Sequence, residues 1–236
     1  MEERMPTDTP RVVLLLGAPG AGKDTQADRL VEESGFVPVP SSQIIQKKFA
    51  ESPNDPDVKR ESARYDKGFL VDPRFVGKWI TEFVGDALRG GKPLVFSGSP
   101  RTVPEAEVEL KGLDELVGIE NMLAINLVLD ESVARERILK RRFCKAHNHP
   151  VPGSPEFAHL TKCPIDGSEL FVRPLDDPKL LGQRFDEYHA LTVPTIEFVR
   201  KSGMPFYDID GSLPIQAIHE QIMAIVERRL APVPAT

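Results

Sequence analysis

The chain reads as an α/β protein with a central five-stranded parallel sheet flanked by helices. Three observations predict this. Five apolar runs of strand length recur: Val12–Gly17, Phe36–Val39, Leu94–Ser97, Leu123–Leu129 and Pro205–Ile209. Each is largely apolar rather than strictly alternating, which suits strands covered on both faces. Segments able to be helical intervene at Thr25–Ser34, Arg74–Arg89, Glu131–Arg142, Arg184–Ser202 and Pro214–Arg229. Right-handed crossovers then place helices on both faces of the sheet. Ligands of such a sheet lie beyond the carboxyl ends of the strands.

Each element has a local reason. Thr25–Ser34 gathers Ala27, Leu30 and Val31 on one side, and Arg74–Arg89 carries Phe75, Ile80, Phe83, Val84 and Leu88. Glu131–Arg142 begins with acids and ends with bases, in agreement with the helix dipole. On that helix Arg137 and Arg141, four residues apart, are expected on one face. Two segments break the alternation. Residues 41–72 are mostly polar, and residues 143–173 are rich in Pro, His and Gly with weak periodicity. Both read as small mobile insertions on a single domain spanning 1–236. Residues 1–10 and Ala231–Thr236 read as loose ends.

Composition narrows the class. With 236 residues, 40% hydrophobic and 28% charged, the chain can bury one sizeable core as a soluble globular protein. A net charge of −6 argues against a nucleic-acid-binding surface. No apolar run approaches membrane-spanning length, and the opening MEERMPTDTP does not read as a secretory signal. Two cysteines make no disulfide framework. A cytoplasmic location is expected.

The most informative stretch follows the first strand: Gly17-Ala18-Pro19-Gly20-Ala21-Gly22-Lys23-Asp24-Thr25. Strand, glycine-rich loop, lysine and hydroxyl, in that order, form a phosphate-binding loop. The glycines let successive backbone N–H groups surround phosphate oxygens, and the helix start adds partial positive charge. Lys23 would reach the β- and γ-phosphates, and Thr25 would offer its hydroxyl to Mg²⁺. Asp24 departs from the pattern, which wants Ser or Thr after the lysine.

Arginines extend the reading. Bringing two phosphorylated nucleotides together requires cations and exclusion of water. Arg101 lies just beyond the third strand in Ser97-Gly98-Ser99-Pro100-Arg101-Thr102. Arg137, Arg141 and Arg142 close the helix after the fourth strand, and Arg173 and Arg184 bracket the return from the second insertion. For Arg142 a solvated basic face is an equally good reading.

With these residues in hand, the chain resembles the adenylate kinase family of nucleoside monophosphate kinases, in its long-lid bacterial form. The resemblance rests on GAPGAGKDTQADRL at 17–30, GFLVDPRFV at 68–76, FSGSPRTVPEAE at 96–107, LVLDESVARERILKRR at 127–142 and DIDGS at 208–212. It covers nearly the whole chain. It implies a P-loop kinase fold, MgATP and a monophosphate as substrates, and a monomer. It also implies a lid at 143–173 over the donor and a flap at 41–72 over the acceptor.

The residue roles it implies are these. Lys23 and the loop amides would hold donor phosphates, with Gly17, Pro19, Gly20, Ala21, Gly22, Asp24 and Thr25 around them. Arg137 would lie against the donor adenine, Arg141 on its phosphates, and Gly211 and Ser212 would present backbone to the base. Arg101 would grip the acceptor α-phosphate, while Arg173 and Arg184 close onto the transferring phosphoryl group. Ser41, Gln46, Val71, Gly98 and Glu105 fall at acceptor positions. Asp176 resembles one of the lid's paired acids, shifted to Asp176-Asp177.

The lid also carries Cys144-Lys-Ala-His147 and Cys163-Pro-Ile-Asp166. Two such knuckles can place four donors around tetrahedral Zn²⁺, with His149 as an alternative to His147. Some lids of the family hold four ligands at this spacing. A metal-free lid held by hydrogen bonds is the other reading.

The acceptor side departs from the family. Gln46 stands where an arginine would grip phosphate, with Lys47 or Lys48 as possible substitutes. Ser97 replaces an aspartate that helps organise Mg²⁺, and Glu105 replaces a glutamine that reads the adenine edge. The leading reading is ATP plus AMP giving two ADP. The alternatives are a kinase for a pyrimidine or deoxynucleoside monophosphate, and a regulatory nucleotide-binding protein with weak catalysis.

Overall fold

The computed structural model describes residues 11–147, 149–153 and 155–228. The expected loose ends lie outside that range. The first strand, β1 (Val12–Gly17), is buried along its whole length. Its side chains alternate between two cores: Val12, Leu14 and Leu16 face one apolar cluster, Val13 and Leu15 the other. A strand covered on both faces has no reason to alternate in polarity, and this one does not.

The rest of the core follows chain order. Helix α1 (Lys23–Ser34) starts two residues before the expected Thr25, because Gly22 at φ 97° turns the chain directly into it. Strand β2 (Val37–Val39) is followed by α2 (Ser41–Glu51), α3 (Pro56–Tyr65) and α4 (Pro73–Leu88). The polar 41–72 segment is thus a helix pair. Asp55 caps α3 by accepting N–H bonds from Asp57 and Val58, with Pro56 opening the helix.

Strand β3 (Leu94–Ser97) leads to α5 (Val103–Val117), a helix the sequence reading missed. Its signature was present. Thr102 accepts the Glu105 N–H, Pro104 sits in the first turn, and Ala106, Leu110, Leu113 and Val117 form the buried stripe.

Strand β4 (Met122–Val128) precedes α6 (Glu131–Lys140). Here one expectation fails. Arg141 does not share a helix face with Arg137, because it takes an extended backbone at the helix end and Arg142 opens β5 (Arg142–Cys144). With β6 (Pro150–Val151) and β7 (Leu170–Phe171), β5 forms an antiparallel sheet in the order β6-β5-β7. Strands this short leave no period for a sequence to display.

Helix α7 (Pro178–Glu187) runs through a π-helical turn at Tyr188–Thr192 into α8 (Val193–Arg200). It begins at Pro178, not Arg184, because Asp177 caps it by accepting the Lys179 N–H. Strand β8 (Phe206–Asp210) and α9 (Ile215–Arg228) complete the fold.

The main sheet is parallel throughout, in the order β2-β3-β1-β4-β8. Register aligns Leu15 with Ser97 and Gly17 with Leu127. The loops after β1, β3 and β4 therefore leave the sheet at one edge, and the candidate site is built there. Among the described residues no helix is long and apolar enough to cross a membrane.

Candidate active site

The glycine loop leaves β1 with no room for a side chain at Gly17 or Gly20. A Cβ on Gly17 (φ 133°) would lie 2.5 Å from the Leu127 carbonyl, and one on Gly20 (φ 81°) 2.7 Å from the Ala134 carbonyl. Glycine thus serves both the left-handed backbone and the close approach to β4 and α6. Lys23 folds back over the loop and donates to the carbonyls of Gly17 (2.9 Å) and Ala18 (2.8 Å). Its burial, together with the positive charges of Arg101, Arg141 and Arg184, brings its pKa down to about 7, despite the opposing Asp24 carboxylate. Asp24 is exposed and lines the cleft beside it.

Four arginines share this cleft with Lys23: Arg101, Arg141, Arg173 and Arg184. They come from four separated stretches of chain. Arg101 folds against its own turn, its Nε donating to the Gly98 carbonyl at 2.5 Å. Gly98 has φ 95°, a left-handed backbone that favours glycine, and a Cβ there would sit 2.7 Å from the guanidinium and displace it.

The other three converge on one fully buried carboxylate, Asp176. Arg141 donates to it in bidentate fashion (2.8 and 3.1 Å), Arg184 at 2.9 Å and Arg173 at 3.1 Å. Burial alone would raise the Asp176 pKa, but the hydrogen bonds and charges of Arg141 and Arg173 outweigh it and hold the carboxyl below its usual range. Arg184 is pushed down to about 10 by burial and by Arg173 beside it. The Phe143 ring lies under Arg141 (5.1 Å) and Arg173 (4.7 Å). Asp177 has a different task, capping α7.

A second pocket opens beside the loop. Arg137 donates to the carbonyls of Gly211 (2.7 Å) and Ser212 (3.3 Å), and with Thr25, Ile138, Leu213 and Pro214 it lines a mostly apolar pocket. On the opposite side of the cleft, Ser41, Val71, Gly98, Arg101 and Glu105 line a third recess. Gln46 is exposed and lines none of these pockets. Arg142 points away and donates to the carbonyls of Phe157 and Leu160, tying the second insertion together.

In that insertion the structure brings Cys144, His149, Cys163 and Asp166 into one group, with their ligand atoms all within 4.8 Å of one another. His149 stands in the set where His147 was expected. His147 lies beside it, its Nδ1 2.9 Å from Asp166. Cys144 Sγ accepts the N–H groups of both histidines (3.4 and 3.3 Å).

Some cleft residues escaped the sequence reading. Tyr65, Phe69, Glu187, Tyr188 and Thr192 also line it. The Thr192 hydroxyl donates to the Arg101 carbonyl at 3.1 Å. Apart from Phe69, which lies in the 68–76 stretch, these residues belong to none of the recognised stretches, so only the folded chain shows them.

A family model described as adenylate kinase matches residues 15–204. The chain belongs to the adenylate kinase family. It is 33% identical over 224 residues to the adenylate kinase of Thermodesulfovibrio yellowstonii, covering 92% of this chain and 99% of the relative. Against that of Archaeoglobus fulgidus it is 31% identical over 225 residues, covering 92% and 98%. Against that of Pyrococcus abyssi the figures are 31%, 91% and 95%. As an adenylate kinase family member the chain is a nucleoside monophosphate kinase, an adenylate kinase-like phosphotransferase. Neither alternative reading, another acceptor or a weakly catalytic regulator, is favoured by these relatives.

Phosphate binding should restore the full charge of Lys23, so ATP binding at mildly alkaline pH should take up a proton. Calorimetry in buffers of different ionisation heat would show it, and Lys23→Met should abolish the uptake. Asp176→Ala should cost about 3–5 kcal/mol of stability at neutral pH, because three guanidinium groups lose their shared counter-charge. The Asp176 carboxyl is held low in the folded state, so its contribution is present above the ordinary carboxylate range. It fades as pH falls through the folded pKa. Denaturation midpoints of wild type and variant should therefore converge in acid.

Proposed function

We propose that this chain transfers the γ-phosphoryl group of MgATP to AMP, reversibly, giving two ADP. The observation that carries the reading is a single cleft lined by Lys23, Arg101, Arg141, Arg173 and Arg184, which adjoins the Arg137 pocket through Lys23 and Arg141 and the recess at Ser41 and Glu105 through Gly98 and Arg101. ATP lies with its base in the Arg137 pocket, against the Gly211 and Ser212 backbone, and its phosphates in the loop at Gly17–Thr25. AMP occupies the recess at Ser41, Val71, Gly98 and Glu105, with its phosphate on Arg101. Mg²⁺ enters with ATP as part of the substrate, with the Thr25 hydroxyl beside it.

The chemistry needs no covalent intermediate. The cations cancel repulsion between the two nucleotides and stabilise charge on the transferring group. Arg141, Arg173 and Arg184 are already assembled on Asp176, so little reorganisation remains when phosphate arrives. Residues 41–72 act as the flap over AMP and 143–173 as the lid over ATP. Because both half-sites come from one chain, it acts as a monomer. Its two unpaired cysteines suit the reducing cytoplasm.

The second insertion holds a structural Zn²⁺ on Cys144, His149, Cys163 and Asp166. Two thiols, an imidazole and a carboxylate are a donor set that zinc accepts, and their spacing fits one tetrahedral ion. An insertion of two- and three-residue strands has little core, and a metal supplies rigidity instead.

Arg101→Ala should lower turnover of AMP by about 100-fold or more, measured in a coupled assay, while ATP affinity stays near wild type. Near-normal turnover would refute the role of Arg101. Freshly purified protein should contain one zinc per chain by elemental analysis. Cys163→Ser should lose it and melt at lower temperature, whereas wild type without zinc would overturn the metal assignment.

A further inference from the structure

Beneath the AMP recess lies a feature that phosphate chemistry does not use. Glu105 and Glu109, one turn apart on α5, are both buried, at 3% exposure each. Ser99 lies between them, also fully buried. Its Oγ is hydrogen-bonded to Glu105 Oε1 and lies 2.7 Å from Glu109 Oε1. A serine hydroxyl has one hydrogen to donate, and an ionised carboxylate has none. Two carboxyl oxygens on one hydroxyl therefore require that one of the two acids bring a proton of its own.

The surroundings decide which one. Burial raises the Glu105 pKa, but the Ser99 hydroxyl, the backbone N–H groups of Arg101 and Thr102 and the Arg101 charge oppose it and favour the ionised form. Glu109 has no such help. Around it stand Ile80, Thr81 and Val84 of α4, Phe96 of β3, and Leu113 and Leu116 of its own helix. The Thr81 hydroxyl is spent on the Gly77 carbonyl. Glu109 Oε2 is buried without a partner, which a neutral carboxyl tolerates far better than a carboxylate. Burial and the neighbouring Glu105 both push the Glu109 pKa well up. The charges bearing on the pair are the two carboxyls and Arg101.

We propose that Ser99, Glu105 and Glu109 form a one-proton relay under the acceptor base. Glu109 donates to Ser99 and Ser99 donates to Glu105, so that Glu105 is fixed as a hydrogen-bond acceptor facing the recess. This rests on reading that recess as the AMP site. A carboxylate held in that way suits the exocyclic amine of adenine. Glu109, which touches no substrate, is a positioning residue. When the relay loses its proton, two carboxylates face each other across one hydroxyl and Glu105 is displaced.

The test reads both the proton and its effect. Infrared spectroscopy of the free protein at neutral pH should show a protonated carboxyl C=O band that Glu109→Gln removes. A spectrum without that band overturns the relay whatever the acceptor proves to be. In steady-state kinetics the KM for AMP should rise about tenfold from neutral to alkaline pH, the loss expected for one charge-assisted hydrogen bond, while the KM for ATP does not follow it. Glu109→Gln keeps a neutral donor to Ser99 and should flatten the AMP profile at the neutral-pH value. An AMP profile that is flat in wild type, or that still rises in Glu109→Gln, overturns the proposal. If the band is present and lost as expected but AMP is neither bound nor phosphorylated, the acceptor assignment fails and not the proton count.

Discussion

The structure depends on one electrostatic constraint: several cations must be held close together in a cleft before any phosphate arrives. Arg141, Arg173 and Arg184 achieve this by sharing Asp176, whose carboxylate is fully buried among them. One negative charge against three positive ones leaves the group in surplus, and the surplus is directed at the cleft. Lys23 and Arg101 are held by carbonyl oxygens of their own loops instead. Burying charges usually costs more than it returns. Here the shortfall in counter-charge leaves the cleft positive.

The fold supplies the convergence. A parallel sheet sends its loops out at one edge, so the glycine loop after β1 and Arg101 after β3 meet although more than seventy residues separate them. The arginines arrive from further away, on the end of α6, on the return from the second insertion and on α7. Close packing makes this precise. Gly17, Gly20 and Gly98 lie where any side chain would strike a carbonyl or a guanidinium.

The balance of function is uneven across the cleft. The residues expected around ATP lie along the glycine loop or the Arg137 pocket. Gln46 stands outside the recess lined by Ser41, Val71, Gly98, Arg101 and Glu105, and Arg101 is the cation lining that recess. The recess is lined by Glu105, at a position where the family resemblance implies a glutamine, and Glu109 is buried behind it. A helix that the periodicity did not reveal, α5, carries both. Its apolar stripe is interrupted by Glu105 and Glu109, two buried carboxyls that disguise it as a surface segment.

The sequence by itself determined the sheet, that its strands run parallel, and the phosphate loop. These depend on local properties: apolar runs, glycine at left-handed positions, and a lysine at a helix start. It also disclosed the cleft arginines one at a time, through position in the chain. Tertiary structure alone decided what they do together. Whether Arg141 stays on its helix or turns to Asp176, whether His147 or His149 joins the two cysteines, and whether two glutamates share a hydroxyl all depend on distances between residues far apart or out of register. Side-chain charge is written in the sequence, but the proton a buried carboxyl keeps is set by what surrounds it.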